Sequence, residues 1–281
     1  MMERLFDWAA RPAERLVTVG SLRSGKGTVA RHAQVTADTA EEAAAAEAAG
    51  IEMVVCRAAN VAAVRQGSRH VFVTAALGFA EAVTDDDILR VAFRALTEGA
   101  DAVITARSLS VVSRLAAEDM PVMGHLGFVP RKSTWVGRTR VVGKTTDEAE
   151  ALWHRFRRLQ EAGAFAVEAE LVAAPLLAEI TRRSGLVTVS LGSGPGGDVI
   201  FLFGSDICGE EGRLPRHARA YGDMARLRQS IRDERASAFA AFRADVAQGG
   251  FPGTTNTAAM EPGQWEELLE RLGQADCGTF R

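Results

Sequence analysis

A (β/α)8 TIM barrel, of class α/β, is the fold this sequence predicts, with an N-terminal helix before it and a C-terminal helical extension after it. Three observations carry the prediction. About eight short apolar runs recur along the chain, most of them apolar throughout rather than alternating. Strands buried on both faces, as in a parallel sheet, have that composition. Helical stretches with one apolar face separate the runs, the alternation that covers a parallel sheet with helices. At 281 residues and 47% hydrophobic, the chain can bury one large core. A closed barrel is the natural solution, and a doubly wound open sheet is the rival. Residues 1–281 read as a single barrel domain, with 214–281 as its helical extension.

Residues 3–14 form the expected leading helix, offering Leu5, Phe6 and Trp8 for packing. Leu16–Val19 is the first expected strand. Thr28–Thr36 is ambiguous, because Val29, Arg31, Ala33 and Val35 alternate with mostly polar partners and suit an extended arm. Thr39-Ala-Glu-Glu is a capping box that opens an alanine-rich helix ending at Gly50. Strands follow at Ile51–Cys56 and His70–Ala76. Thr84 caps a helix whose Ile88, Val91, Ala92, Ala95 and Leu96 share a face, and Gly99 ends it. Asp101–Ala106 is a strand, Ser108–Asp119 a helix and Pro121–Gly127 a strand. Thr145 to Glu148 is a second capping box, and the helix it opens turns Leu152, Trp153, Phe156 and Leu159 inward. Ala164–Leu171, Leu186–Leu191 and Val199–Phe203 complete the strands, with a helix at Ala174–Ser184. From Leu214 the chain turns helical and charged, to cover one barrel end or to contact another subunit, so a homo-oligomer is expected.

Composition excludes several classes. With 33 Lys and Arg against 36 Asp and Glu, no basic block marks a nucleic-acid partner. No apolar run approaches the roughly 20 residues of a membrane span, and the N-terminus carries no signal-like apolar stretch. Cys56, Cys208 and Cys277 form no CxxC pair and no even framework, which points to a cytoplasmic protein.

Two glycine-rich loops stand out. Gly20-Ser-Leu-Arg-Ser-Gly-Lys-Gly-Thr28 resembles the phosphate loop of adenylate-kinase-like nucleotide kinases, in which backbone N–H groups and a lysine hold phosphates. Gly27 stands where Ser or Thr usually follows the lysine, and the later strands end without the acid that would help hold magnesium. A mobile basic loop is the other reading. Gly192-Ser-Gly-Pro-Gly-Gly197 lacks the dinucleotide fingerprint and reads as a tight loop at the barrel mouth.

A third stretch carries a resemblance. Gly124-His-Leu-Gly127, Val142-Gly-Lys144 and Glu161-Ala-Gly-Ala-Phe-Ala166 occur in the order of the GH(I/L)G, QGK and EAGAF segments of ketopantoate hydroxymethyltransferase. Ser190-Leu-Gly-Ser-Gly194 is similar to that family's GIGAG, and Asp206 to an acid after its last strand. The resemblance spans roughly residues 50–253. It implies a barrel of the phosphoenolpyruvate mutase and isocitrate lyase superfamily. It further implies a 2-oxo acid substrate held on Mg²⁺ and converted to an enolate, with methylene-tetrahydrofolate giving the one-carbon unit. Position by position it implies that His125 binds substrate and that Glu170 is the base.

The rest of the family pattern departs. Its Gly-Asp-Ser falls on Arg57-Ala58-Ala59, its second aspartate on Ala76, and its lysine and glutamate on Ile104 and Ala106. No metal ligands are therefore matched, and the cofactors of this chain stay unknown. Arg57 and Arg107 stand near strand ends, where a guanidinium can grip a carboxylic or phospho-acid without a metal. The alternative is that they face water or pair with acids such as Glu81 or Glu168. Glu168 and Glu170 point the same way on one strand, which favours Glu170 as general base with Glu168 paired to an arginine. Ser190 joins the expected substrate-binding set. Trp135 and Trp153 read as core or lid packing. The leading function is an enzyme that makes or breaks a C–C bond of a small 2-oxo acid. A non-catalytic binding or regulatory barrel and a phosphate-loop nucleotide-binding protein are the alternatives.

Overall fold

The structure, a computed structural model, describes residues 4–28, 31–80, 82–210 and 212–274. Val29, Glu81 and Cys277, weighed above, lie outside the described residues. Two compact units divide the chain, 1–223 and 224–281.

The first unit is the barrel. Its parallel strands are β1 (His32–Thr36), β2 (Met53–Arg57), β3 (Phe72–Ala76), β4 (Ala102–Thr105), β5 (Val122–Gly127), β6 (Ala166–Glu170), β7 (Val187–Leu191) and β8 (Val199–Leu202). They pair in chain order, and β8 closes on β1 from Val199 opposite His32 to Leu202 opposite Val35. Side chains alternate across each strand. One set, including Met53, Phe72, Ile104, Met123, Val189 and Phe201, fills the barrel interior. The other, including Val54, Val73, Val122 and Val167, packs outward against the helices. Both faces are buried, which is why the runs are apolar throughout.

The helices are α1 (Val19–Ser24), α2 (Ala40–Ala48), α3 (Val61–Gly67), α4 (Asp85–Glu98), α5 (Leu109–Ala117), α6 (Thr146–Glu161), α7 (Ala174–Arg183) and α8 (Gly204–Cys208). Thr39 and Glu42 cap α2 reciprocally, and Thr84 and Asp87 do the same for α4, which Gly99 ends at φ 116°. Thr145 accepts from the Glu148 amide at the start of α6. Glu148 does not complete that box: its carboxylate accepts from the Gly143 and Lys144 amides and pairs with Arg140 at 2.8 Å. Leu152, Phe156 and Leu159 of α6 are buried and Trp153 is half-buried against the same core.

The N-terminal helix is not formed. Leu5–Phe6 pairs with Pro12–Ala13 as a short antiparallel ribbon. Asp7 holds its turn by accepting from the Ala9 and Arg11 amides, and Pro12 removes the amide a helix would need there. Leu16–Val19 is not the first strand either. Thr18 and Ser21 form a reciprocal capping box that starts α1 instead. The first strand lies in the ambiguous tract, at His32–Thr36.

The glycine–lysine stretch is not a phosphate loop. Gly20 lies inside α1, Lys26 Nζ pairs with the buried Asp198 at 3.0 Å, and the Gly27 amide donates to the same carboxylate. Asp198 precedes β8, so the stretch plugs the N-terminal end of the barrel, opposite the end where barrel active sites form. One crossover is the tight loop that its glycines suggest. Residues 192–198 return from β7 to β8 without a helix, which an extended chain of that length can do. The return passes so close that a Cβ on Gly197 would lie 2.9 Å from the Ser190 Cβ.

The second unit holds α9 (Met224–Ala247), with no buried side chain, and α10 (Gln264–Gln274). No helix among the described residues is long and apolar enough to cross a membrane.

Candidate active site

Strand parity brings three polar side chains together on the inner wall. His125 of β5 stands opposite Glu168 of β6, and Gly127 opposite Glu170. The His125 Nε2 lies 3.0 Å from Glu170 Oε2 and 3.8 Å from Glu168 Oε1. All three side chains are nearly buried. The glycines beside His125 set these distances. A Cβ on Gly124 would lie 2.4 Å from Leu159 Cδ2, so the glycine lets α6 close on β5. Gly127 has φ 96°, and a Cβ there would lie 2.1 Å from the Glu170 carbonyl oxygen. The Gly-His-Leu-Gly motif is thus a packing motif that delivers an imidazole to a carboxylate.

Burial pushes Glu168 up to about 7; the charge of His125 opposes that shift and the charge of Glu170 adds to it. For His125, burial acts downward, but the hydrogen bond to Glu170 and the charges of both acids outweigh it and raise the imidazole above its ordinary value. The cluster therefore holds protons near neutrality, as an acid–base site requires.

His125 and Glu168 border a mouth cavity of about 280 Å³, which Thr36, Asp38, Arg57 and Ala76 also help to line, and Glu170 stands behind the imidazole, outside that lining. Arg57 reaches it from the end of β2, with its side chain 75% exposed and 3.4 Å from Asp38. Asp38 is a site residue that sequence reasoning missed. Its Oδ1 accepts from the Arg57 amide and from Asn60, each at 2.8 Å. The available signal was an acid just before the Thr39 capping box. The sequence hides it by offering Leu16–Val19 as the first strand.

The remaining expected residues are not all at this site. Arg107 follows β4 in a loop and turns to backbone carbonyls, donating to Ala82 O, and to Phe79 O at 3.2 Å. Ser190 is a correction: it stands on the outward face of β7, and its hydroxyl donates to Gly194 O at 2.6 Å, anchoring the helix-free return. Glu168 pairs with His125 rather than with an arginine, because the inward position across from it on β5 is the imidazole. Trp135 is not core; it is 84% exposed.

Magnesium wants oxygen ligands in a near-octahedral set. Ala58, Ala76, Ile104 and Ala106, where the resemblance puts the metal-binding and substrate-binding groups, offer no side-chain oxygen. Asp38, a carboxylate lining the same cavity, is already engaged by Arg57 and Asn60. The family's Mg²⁺ does not fit these residues. On the neighbouring strands β5 and β6, one ligand atom each from His125, Glu168 and Glu170 lies within 4.8 Å of the others, the one group of three or more such side chains among the described residues close enough to share a cation.

Comparisons with known proteins agree with this architecture. The chain is 34% identical over 222 residues to a 3-methyl-2-oxobutanoate hydroxymethyltransferase of Chloroflexus aurantiacus, covering 77% of this chain and 75% of that protein. It is 33% identical over 218 residues to the enzyme of that name from Roseiflexus sp., covering 76% of each. Among solved structures, a phosphonopyruvate hydrolase in complex with oxalate and Mg²⁺ shares the fold at 13% identity and a TM-score of 0.50, over 93% of this chain and 100% of that one. The sequence pattern of ketopantoate hydroxymethyltransferase matches residues 56–254, and the chain belongs to that family.

Proposed function

We propose that this protein is an enzyme that draws a proton from a small 2-oxo carboxylic acid and uses the resulting enolate to form or break a C–C bond. The observation that carries the reading is the hydrogen-bonded His125–Glu170 pair at the mouth of the barrel. The family resemblance makes Glu170 the base, and its hydrogen bond to His125 ties it to the cavity wall. Glu170 takes the proton from the carbon beside the carbonyl, and the electron pair moves onto the carbonyl oxygen. His125, held toward its charged form by two acids, donates to that oxygen as charge develops. Glu168, once ionised, adds its charge to that of Glu170 in holding the imidazole protonated. Arg57, at the open side of the cavity, offers its guanidinium to the substrate carboxylate. In the relatives, by name, a hydroxymethyl group joins 3-methyl-2-oxobutanoate; here the enolate carbon is the atom that would take it. Proton transfer here uses only this chain's own groups, because Ala58 and Ala76 offer no oxygen donor at the family's Mg²⁺ positions.

Deuterium exchange into 3-methyl-2-oxobutanoate in D₂O, followed by NMR, tests the reading. The protein should catalyse exchange, and Glu170→Gln should slow it by roughly 10²–10⁴-fold, the range of a lost general base. Wild-type protein that exchanges neither this acid nor other small 2-oxo acids would sink it. We also propose that the chain forms a homo-oligomer, because Leu227, Ile231, Phe239, Phe242 and Val246 lie along one exposed stripe of α9.

A further inference from the structure

A second recess, of about 580 Å³, opens beside the mouth cavity. The two meet at Ala106 and His125, which line both. Arg107, Arg131, Lys132, Arg155 and Arg158 line the second recess, and no acid does among the described residues. The chain as a whole has a net charge of -3, so this excess of cations is local.

Two of the five are fixed by neutral groups. Arg131 donates to Ala106 O at 2.6 Å and lies 4.0 Å above the Phe79 ring, while Arg107 donates to the carbonyls around that same phenylalanine. A planar guanidinium held in this way keeps its other N–H groups aimed and available. The other three, Lys132, Arg155 and Arg158, have no carboxylate within 4.0 Å among the described residues, whereas Arg157 on the same helix α6 pairs with Glu161 at 3.6 Å. The helix therefore places acids where they neutralise its outer face and leaves none beside the recess. Desolvation lowers Lys132 below its ordinary value, and the charges of Arg155 and Arg131 lower it further. Mutual repulsion of this kind costs free energy in the empty protein and is relieved by an anion.

A single carboxylate would neutralise one of five charges. A phosphoryl group carries more charge and three acceptor oxygens, and guanidinium forks match it bidentately. We propose that this recess binds a phosphoryl-bearing anion, the charged end of a ligand that extends to His125. The inference goes beyond the proposed reaction, since a small 2-oxo acid has no such group. It stands or falls on binding alone.

The test is isothermal titration of the full chain with inorganic pyrophosphate at low salt. Saturable binding with one site per chain is expected, weakening as salt is added. An Arg155→Ala/Arg158→Ala double variant should bind at least tenfold more weakly, while Arg90→Ala on α4 should bind as the wild type does. Circular dichroism checks that the double variant is folded; if it is not, Lys132→Ala in the neighbouring loop is read against the same tenfold criterion. Absence of saturable binding overturns the proposal. So does a loss smaller than tenfold, or binding of malonate as tight as that of pyrophosphate. None of these readouts depends on turnover, so a failure here is distinct from a failure of the enolate chemistry.

Discussion

Glu168 stands two residues from Glu170 on one strand, beside the same imidazole, and burial raises it to about 7. That shift links stability to pH. Between the ordinary 4.5 and about 7 the folded chain keeps a proton on Glu168 that the unfolded chain has released. The contribution of this group therefore falls as pH rises through that window. His125, also raised, acts in the same sense: its contribution is present below its ordinary 6.5 and is lost as pH climbs through the folded value. Glu168→Gln should accordingly gain on the wild type between pH 5 and pH 8, on the order of 1–3 kcal/mol in urea unfolding. A gap independent of pH would show that the acid does not hold its proton. At this scale much of the site was legible, because Gly-His-Leu-Gly and the paired glutamates are local patterns. Asp38 and the outward Ser190 were not, since both depend on which strand faces which way.

At the scale of elements, β5 and β6 are joined at their ends by a contact only glycine allows. Gly127→Ala would drive a methyl group into the Glu170 carbonyl. It should destabilise the protein by roughly 2–4 kcal/mol, the sum of left-handed backbone strain and displaced strand ends, and should lower the deuterium-exchange rate as well. Gly137, with φ 79° and nothing within 4 Å of its virtual Cβ, is the control. Gly137→Ala should lose only about 1 kcal/mol and leave exchange intact; equal losses for the two would mean that the close approach is unimportant. The threonine caps of α2, α4 and α6 were readable because each signal lies within four residues. The true first strand was not, because the tract containing it alternates while the apolar run before it supplies a helix cap, Thr18 to Ser21.

The whole molecule follows from the rhythm of buried runs, and the closed ring was the part most fully legible, because every βα unit repeats the same burial requirement. Association was signalled only by a charged helical tail. Its test is light scattering coupled to size exclusion: an assembly larger than one chain is expected at micromolar concentration, and a strict monomer would leave the stripe on α9 without a partner. The plain turn between β7 and β8 has a mechanical corollary. With no helix in the return that precedes it, β8 turns Ile200 outward at 38% exposure. At that seam the cask lacks a hoop. Amide hydrogens along β8 should trade with deuterated solvent before those of β5 or β6, and the ring should give way there first when it is strained. Equal protection of all eight strands in a hydrogen-exchange experiment would mean the seam is as strong as the rest.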